Sequence, residues 1–163
     1  MSGEEPGEAG GAATDPAVEA RRLMRRADSA TLATVGEGGQ PFASLVTPAV
    51  APDGAVLLFL SALSEHTRQL RGDGRCALLF QGAAEGPNPQ TTPRVSVTGL
   101  AETVDDPELK ACWLARHPYA EPYAGFADFS LWRVAPGGAL LVLGFGRAHR
   151  LRAAALRPEP GEA

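Results

Sequence analysis

Apolar positions along this chain follow two periods, helical at the start and strand-like through most of the remainder. From Asp15 or Pro16 onward, Val18, Leu23, Met24 and Ala27 recur on one stripe, with Arg21, Arg22, Arg25 and Arg26 opposite. That spacing predicts an amphipathic helix whose arginines form a solvated face. After Ser29 the segments "TLATV", "FASLVTPAV" and "AVLLFL" are divided by the turn-rich "GEGGQP" and "APDG". "CALLFQG", "RVSVTGLAE", "FSLWRVAP" and "ALLVLGFG" continue the series, the last two split by a "GG" that predicts a turn. Within "RVSVTGLAE", Val95, Val97, Gly99 and Ala101 alternate with Arg94, Ser96, Thr98 and Glu102, the mark of a strand with two unlike faces. A short helix is expected after "AVLLFL", and another from Asp106 to His117 with Pro107 at its first position and Leu109, Trp113 and Leu114 facing inward. Six or seven antiparallel strands, interrupted by helices, predict a mainly β fold: a small closed barrel with peripheral helices rather than a parallel α/β sheet.

The chain has 163 residues, enough for one core-bearing domain, expected over residues 15–156. Residues 1–14 and 157–163 are rich in Gly, Ala, Glu and Pro and are expected to be disordered tails. A net charge of −4 supplies no basic stripe for nucleic acid or an anionic membrane, so any anion must be held by a local cluster. The longest apolar stretches, 55–60 and 139–145, are too short to span a bilayer, and the acidic N-terminus carries no apolar run. Cys76 and Cys112 fit neither a disulfide framework nor metal-ligand spacing, and no CxxCH is present. A soluble, cytoplasmic protein without a metal centre is the expectation.

The segment "SALSEHTRQLR", residues 61–71, concentrates polar chemistry directly after an apolar strand. At helical spacing Leu63, Thr67 and Leu70 face the barrel, and Ser64, Arg68 and Arg71 lie on a neighbouring face. A helix N-terminus presents unpaired N–H groups and partial positive charge, so Ser, His, Thr and Arg added there can hold a dianion such as phosphate. The competing reading makes Ser61 or Ser64 a simple N-cap and His66 and Arg68 solvated surface residues. Arg94, opening its strand, either adds a charge or hydrogen bond to a planar ligand or is an exposed strand-end arginine. The loops "GAAEGPNPQTTP" and "HPYAEPYAGFADF" are expected to shape a pocket mouth.

The succession "ATLATVGEGGQPFASLVTPAVAPDGAVLLFLSALSEHTRQLRGDGRCALLFQG", "TTPRVSVTGLAETV", "DFSLWRV" and "GFGRA" resembles the pyridoxamine 5′-phosphate oxidase-like, FMN-binding split-barrel superfamily. The likeness covers residues 16–150 and is nearest to the heme-utilisation branch, for the barrel domain only; longer members of that branch carry a further C-terminal domain. It implies a homodimeric split β-barrel with cofactor sites at the subunit interface, and an FMN-binding flavoprotein acting as an oxidoreductase on a small molecule. By the same resemblance, the backbone of Ala43, Ser44, Leu45 and Val46 lines the flavin, and Ser61, His66, Thr67 and Arg68 hold its phosphate. Arg94 meets the isoalloxazine.

Two features depart from that pattern. Where the oxidases carry a phosphate-gripping arginine this chain has Ala43, which removes a partner worth about 1.5 to 3 kcal/mol. Residues that bind pyridoxal substrates are missing, so vitamin B6 oxidation is not expected. The alternatives are a deazaflavin in place of FMN, a heme-utilisation protein using the same interface pocket, and a cofactor-free binding or regulatory dimer. For heme, the cationic cluster would meet propionates and His149 or His117 would ligate iron; against this, His117 reads as a helix-end histidine and His149 as an exposed strand-end residue. No catalytic residue is assigned, and no GxSxG nucleophile elbow occurs.

Overall fold

A computed structural model describes residues 14–162. Helix α1 (Pro16–Arg26) begins where Asp15 accepts the Ala17 N–H at 3.0 Å and Pro16 fills the first position. It leads into β1 (Ala30–Val35), β2 (Pro41–Val46), β3 (Ala49–Val50) and β4 (Val56–Ser61). Helix α2 (Glu65–Gly72), β5 (Arg75–Gln81) and β6 (Arg94–Thr103) follow, then α3 (Pro107–Arg116), β7 (Phe129–Val142) and β8 (Ala148–Arg152).

All strands join one antiparallel sheet in the order β2-β1-β5-β6-β7-β4-β3, with β8 added to β7. Its two ends, β2 and β3, are separated in the chain only by Thr47 and Pro48, so the chain itself turns the corner that curls the sheet into a barrel. Closure is partial. β3 pairs with only Val56 and Leu57, which leaves the edge of β4 from Leu58 to Ser61 and the outer edge of β2 without strand partners among the described residues. That opening is the split of the barrel, and α2 lies beside it.

The run "VLLFL" is apolar at every position because both faces of β4 are covered. Val56, Leu58 and Leu60 enter the barrel core with Leu32, Leu78, Phe80, Val95 and Val97, which α1 caps with Ala20 and Met24. Leu57 and Phe59 enter a second cluster under α3 with Trp113 and Leu131. Each such side chain, buried, stabilises by about 1.5 to 3 kcal/mol. Helix α3 matches its expected span: Asp106 caps it by accepting the Glu108 and Leu109 N–H groups at 2.9 and 3.1 Å.

Several expectations are corrected. The "GG" segment is not a turn: β7 runs through Gly137 and Gly138, and its register against β6 shifts between Thr98 and Gly99, leaving Gly137 as a bulge. The chain reverses instead at Gly144 and Gly146, both with positive φ, and "AHRLR" forms β8, making eight strands among the described residues. Arg21 does not belong to a solvated face; it is 4% exposed and grips Glu162. Residues 157–162, expected as part of a tail, follow buried Leu156 and return to α1 through that contact. The expected N-terminal tail lies outside the described residues except for Thr14. No helix among the described residues is long and apolar enough to cross a membrane.

Candidate functional site

Alternation along the strands sorts the expected cofactor residues onto two faces. Ser44 pairs with Leu32, itself opposite Leu78, so Ser44 points to the concave side. Ala43 and Leu45 share the outer face with Thr31, Ala33, Ala77 and Leu79, and Leu45 is 74% exposed there. Val46 is buried in the core. Because β2 is an edge strand, alternate backbone N–H and C=O groups from Ala43 to Val46 are free along its open side.

Helix α2 brings part of the polar segment to that edge. His66 Nδ1 lies 3.1 Å from Ser44 Oγ, and burial pushes the imidazole pKa below its ordinary value, favouring the neutral ring at neutral pH. His66 therefore supplies a hydrogen bond more than a charge. Thr67 and Leu70 face inward as expected, and the Thr67 hydroxyl is buried without a hydrogen-bond partner among the described residues. Leu63 instead precedes the helix and is 78% exposed. Ser64 sits at the N-cap without a side-chain hydrogen bond to the helix. Arg68 is exposed and bridges to Glu65 at 3.4 Å, beside a cavity of about 350 Å³ formed with Val35, Gly36, Gln69 and Asp73.

Ser61 is already engaged. Its hydroxyl donates to the Asp128 carboxylate at 3.0 Å and accepts the Leu63 N–H at 3.2 Å. A carboxylate about 4 Å from a bound phosphate costs on the order of 1 to 4 kcal/mol, as much as one arginine contact returns. Sequence reasoning missed Asp128 because only the β4–β7 register, which sets Ser61 opposite Phe129, brings it there. Arg94 stands at the far end of the same β7 strand, opposite Val142, about 40 Å along the ladder from Phe129. Its guanidinium donates to the carbonyls of Gln90 and Thr92 at 2.9 and 3.0 Å. Within one chain, Arg94 and the α2 cluster are apart.

The histidines considered for iron are also placed. His117 is 2% exposed; its Nε2 donates to the Pro48 carbonyl at 2.7 Å and its Nδ1 lies 3.2 Å from the Tyr119 hydroxyl. It is a buried tie from the end of α3 to the β2–β3 corner. His149 is half-buried on β8, opposite Leu141 on the concave face. Cys76 is a buried thiol whose pKa burial pushes up to about 11, so neither nucleophile nor metal ligand chemistry is favoured there.

A larger concavity, about 730 Å³, opens between α1, the outer face of β1 and β5, and the loop after β5. Leu45, Leu79 and Pro93 form its apolar wall, with Arg22 and Arg26 on the helix side. Its size lies within the range of small-molecule sites. Arg22 is held by Glu19 at 2.6 Å, and Asp28 at the rim is held by Arg116 at 2.7 Å. Arg26 has no ion-pair partner among the described residues, and Glu85 in the loop is the remaining wall carboxylate. Gly82 lets α1 approach, since a Cβ there would lie 2.9 Å from Leu23 Cδ2. Sequence alone could not reveal this cavity, whose walls come from four separate stretches: residues 19–31, Leu45, residues 79–85 and Pro93.

Comparison with known proteins places this architecture. The family model for pyridoxamine 5′-phosphate oxidase matches residues 17–143. The chloroplastic non-canonical heme oxygenase HOZ of Arabidopsis thaliana is 32% identical over 126 residues, covering 74% of this chain and 38% of the plant protein. A heme-binding protein from Mycobacterium smegmatis superposes with a TM-score of 0.82 at 30% identity, over 89% of this chain and 61% of that one. The heme storage protein HutZ from Vibrio cholerae shares the fold, with a TM-score of 0.63 at 19% identity over 71% of this chain and 86% of that one. The chain thus spans under two thirds of the length of its two more similar relatives. By the extent of the family match and the split barrel it forms, the chain belongs to the pyridoxamine 5′-phosphate oxidase family, nearest to its heme-utilisation branch.

Proposed function

We propose that this chain is a heme-handling split-barrel module that holds a tetrapyrrole in the α1 cavity. The observation that carries the reading is the meeting of an apolar wall, exposed Leu45 with half-buried Leu79 and Pro93, with Arg22 and Arg26 in one concavity. A flat ring with two carboxylates needs that combination: apolar area removed from water gives about 25 cal/mol per Å², and charge-assisted hydrogen bonds orient the acid edge. Arg26, without an ion-pair partner among the described residues, is the first propionate partner, and Arg22 the second by sharing its contact with Glu19. Bound heme would supply iron-centred redox chemistry; the protein's part is to bind, orient and exclude water. The relatives named for heme oxygenation and heme binding support the assignment. The outer strip of Ala33, Ala43, Leu45, Ala77 and Leu79 continues the cavity wall and suits a second copy of the chain, which would place the site at a homodimer interface. Titration of the purified chain with heme, read by its Soret band, together with sedimentation, tests this: a saturable complex in a dimer is expected, and no spectral change overturns the reading.

A second reading, an FMN or deazaflavin oxidoreductase acting on a small substrate, is favoured by the position of α2 beside the open edge of β2. In it, backbone groups of Ala43, Ser44, Leu45 and Val46 line the ring, while Ser61, His66, Thr67 and Arg68 serve the phosphate and Arg94 comes from a second copy. Asp128 beside Ser61, the neutral His66 and the missing arginine at Ala43 weigh against a dianion there. A flavin spectrum in the protein as purified would favour this second reading over the first. A dimer binding neither ligand would return it to an interaction scaffold.

A further inference from the structure

We propose that the α1 cavity recognises the tetrapyrrole by its face and carboxylates and not by its metal, so that this chain accepts metal-free dicarboxylate porphyrins as readily as heme. The inference rests on the heme-handling reading and narrows it to a ligand class.

The argument is one of placement. Heme iron in proteins is ordinarily held by His, Cys, Met or Tyr, and none of these lines the cavity among the described residues. The chain has three histidines, and each is engaged or turned elsewhere. His66 lies on the concave side against Ser44, and His117 is sealed between Pro48 and Tyr119. His149 faces the concave side from β8, three ladder steps from β5, or about 14 Å, with the sheet itself between it and the cavity. Met24 is in the barrel core, Cys76 is buried with its thiol toward the Gly99 carbonyl, and Cys112 points to the Val50 carbonyl. Of the wall carboxylates, Glu19 is paired with Arg22 and Asp28 with Arg116, and Glu85 is an oxygen donor outside the usual ligands of heme iron.

What the cavity does offer is independent of iron. Leu45, Leu79 and Pro93 meet a ring face whether or not it holds a metal, and Arg22 and Arg26 meet carboxylates at its edge. These residues fit the macrocycle; they do not fit the metal.

The test titrates the whole chain with heme and with metal-free protoporphyrin, reading quenching of Trp113 and Trp132 fluorescence alongside ligand absorption. Dissociation constants within about threefold of each other are expected, with Arg26→Ala weakening both by about tenfold and the porphyrin dimethyl ester binding poorly. His66→Ala and His149→Ala should leave the heme Soret band and affinity unchanged. Heme binding more than about thirtyfold tighter than the free porphyrin, or a Soret shift in either histidine variant, overturns metal-independent recognition while leaving heme handling intact. Failure of both ligands to bind overturns heme handling itself, and this inference with it.

Discussion

Arg21 and Glu162, 141 residues apart in the chain, meet in a two-point ion pair: Nε lies 2.7 Å from one carboxylate oxygen and Nη2 2.5 Å from the other. Arg21 Nη1 also donates to the Ala155 carbonyl at 2.6 Å, and Arg25 Nη1 to the Glu162 carbonyl at 2.8 Å. The C-terminal segment is thereby bolted to one side of α1, whose other side forms the wall of the large cavity.

That grip has a pH signature. Arg21 holds the Glu162 carboxyl down at about 2, against an ordinary value of 4.5. A carboxyl lowered on folding stabilises fully above its unfolded value and loses that contribution as pH falls toward its folded one. The thermal midpoint of the native chain should exceed that of Glu162→Gln by a constant margin above about pH 5, and the margin should shrink between 4.5 and about 2. A margin that does not change over that range would contradict the ion pair.

His66 acts in the same direction at higher pH, through a burial cost and not an ion pair. Its pKa is lowered by burial, so below the ordinary value of 6.5 the unfolded chain takes up a proton that the folded chain resists. Stability should rise with pH through that window, and the His66 ring resonances should titrate with a midpoint under 6.5. A midpoint at or above the ordinary value would mean that the ring is solvated or charge-paired.

Gly99 is required by close approach. A Cβ there would lie 2.5 Å from the Ala135 carbonyl oxygen and 2.8 Å from Val134 Cγ1. Gly99→Ala should cost about 2 to 3 kcal/mol in chemical denaturation, whereas Gly137→Ala, whose nearest neighbour would be 3.7 Å away, should cost less than about 1. Equal costs at the two positions would refute the bulge geometry.

His117 acts as structure. Replacing it with Ala leaves the Pro48 carbonyl unpaired and opens space beside Trp113, with ring centroids 4.9 Å apart in the native packing. A loss of about 3 kcal/mol is expected from denaturant unfolding, with heme affinity of the folded protein unchanged. Lost heme binding in a still-folded variant would make His117 a ligand after all.

Arg68 separates the two cofactor readings. If the α2 corner holds a flavin phosphate, Arg68→Ala weakens FMN binding by about 1 to 3 kcal/mol. Unchanged affinity by calorimetry would remove Arg68 from phosphate binding.

How far the sequence could be read depended on the range of the interaction. The strands, the α3 span with Pro107 at its first position, and the inward Thr67 and Leu70 of α2 were legible, because turn residues and apolar periodicity act over a few neighbouring positions. The order "SLV", "LSEHTR", "PRVSV" carried the family. The same local logic failed at "GG", where two glycines that would suit a turn instead lie inside β7, at a bulge set by its register against β6.

By itself, then, the sequence determined a barrel of short antiparallel strands and the polar character of the segment after β4, since both follow from the order of apolar and polar side chains along the backbone. Only the tertiary structure decided that Asp128 occupies the Ser61 hydroxyl, that Arg94 stands a whole strand away from α2, that Arg21 is buried by Glu162, and that Arg26 meets Leu45 across a cavity. Those relationships are set by strand register and by which charges find partners on burial, and both depend on residues tens of positions apart whose meeting no local pattern encodes.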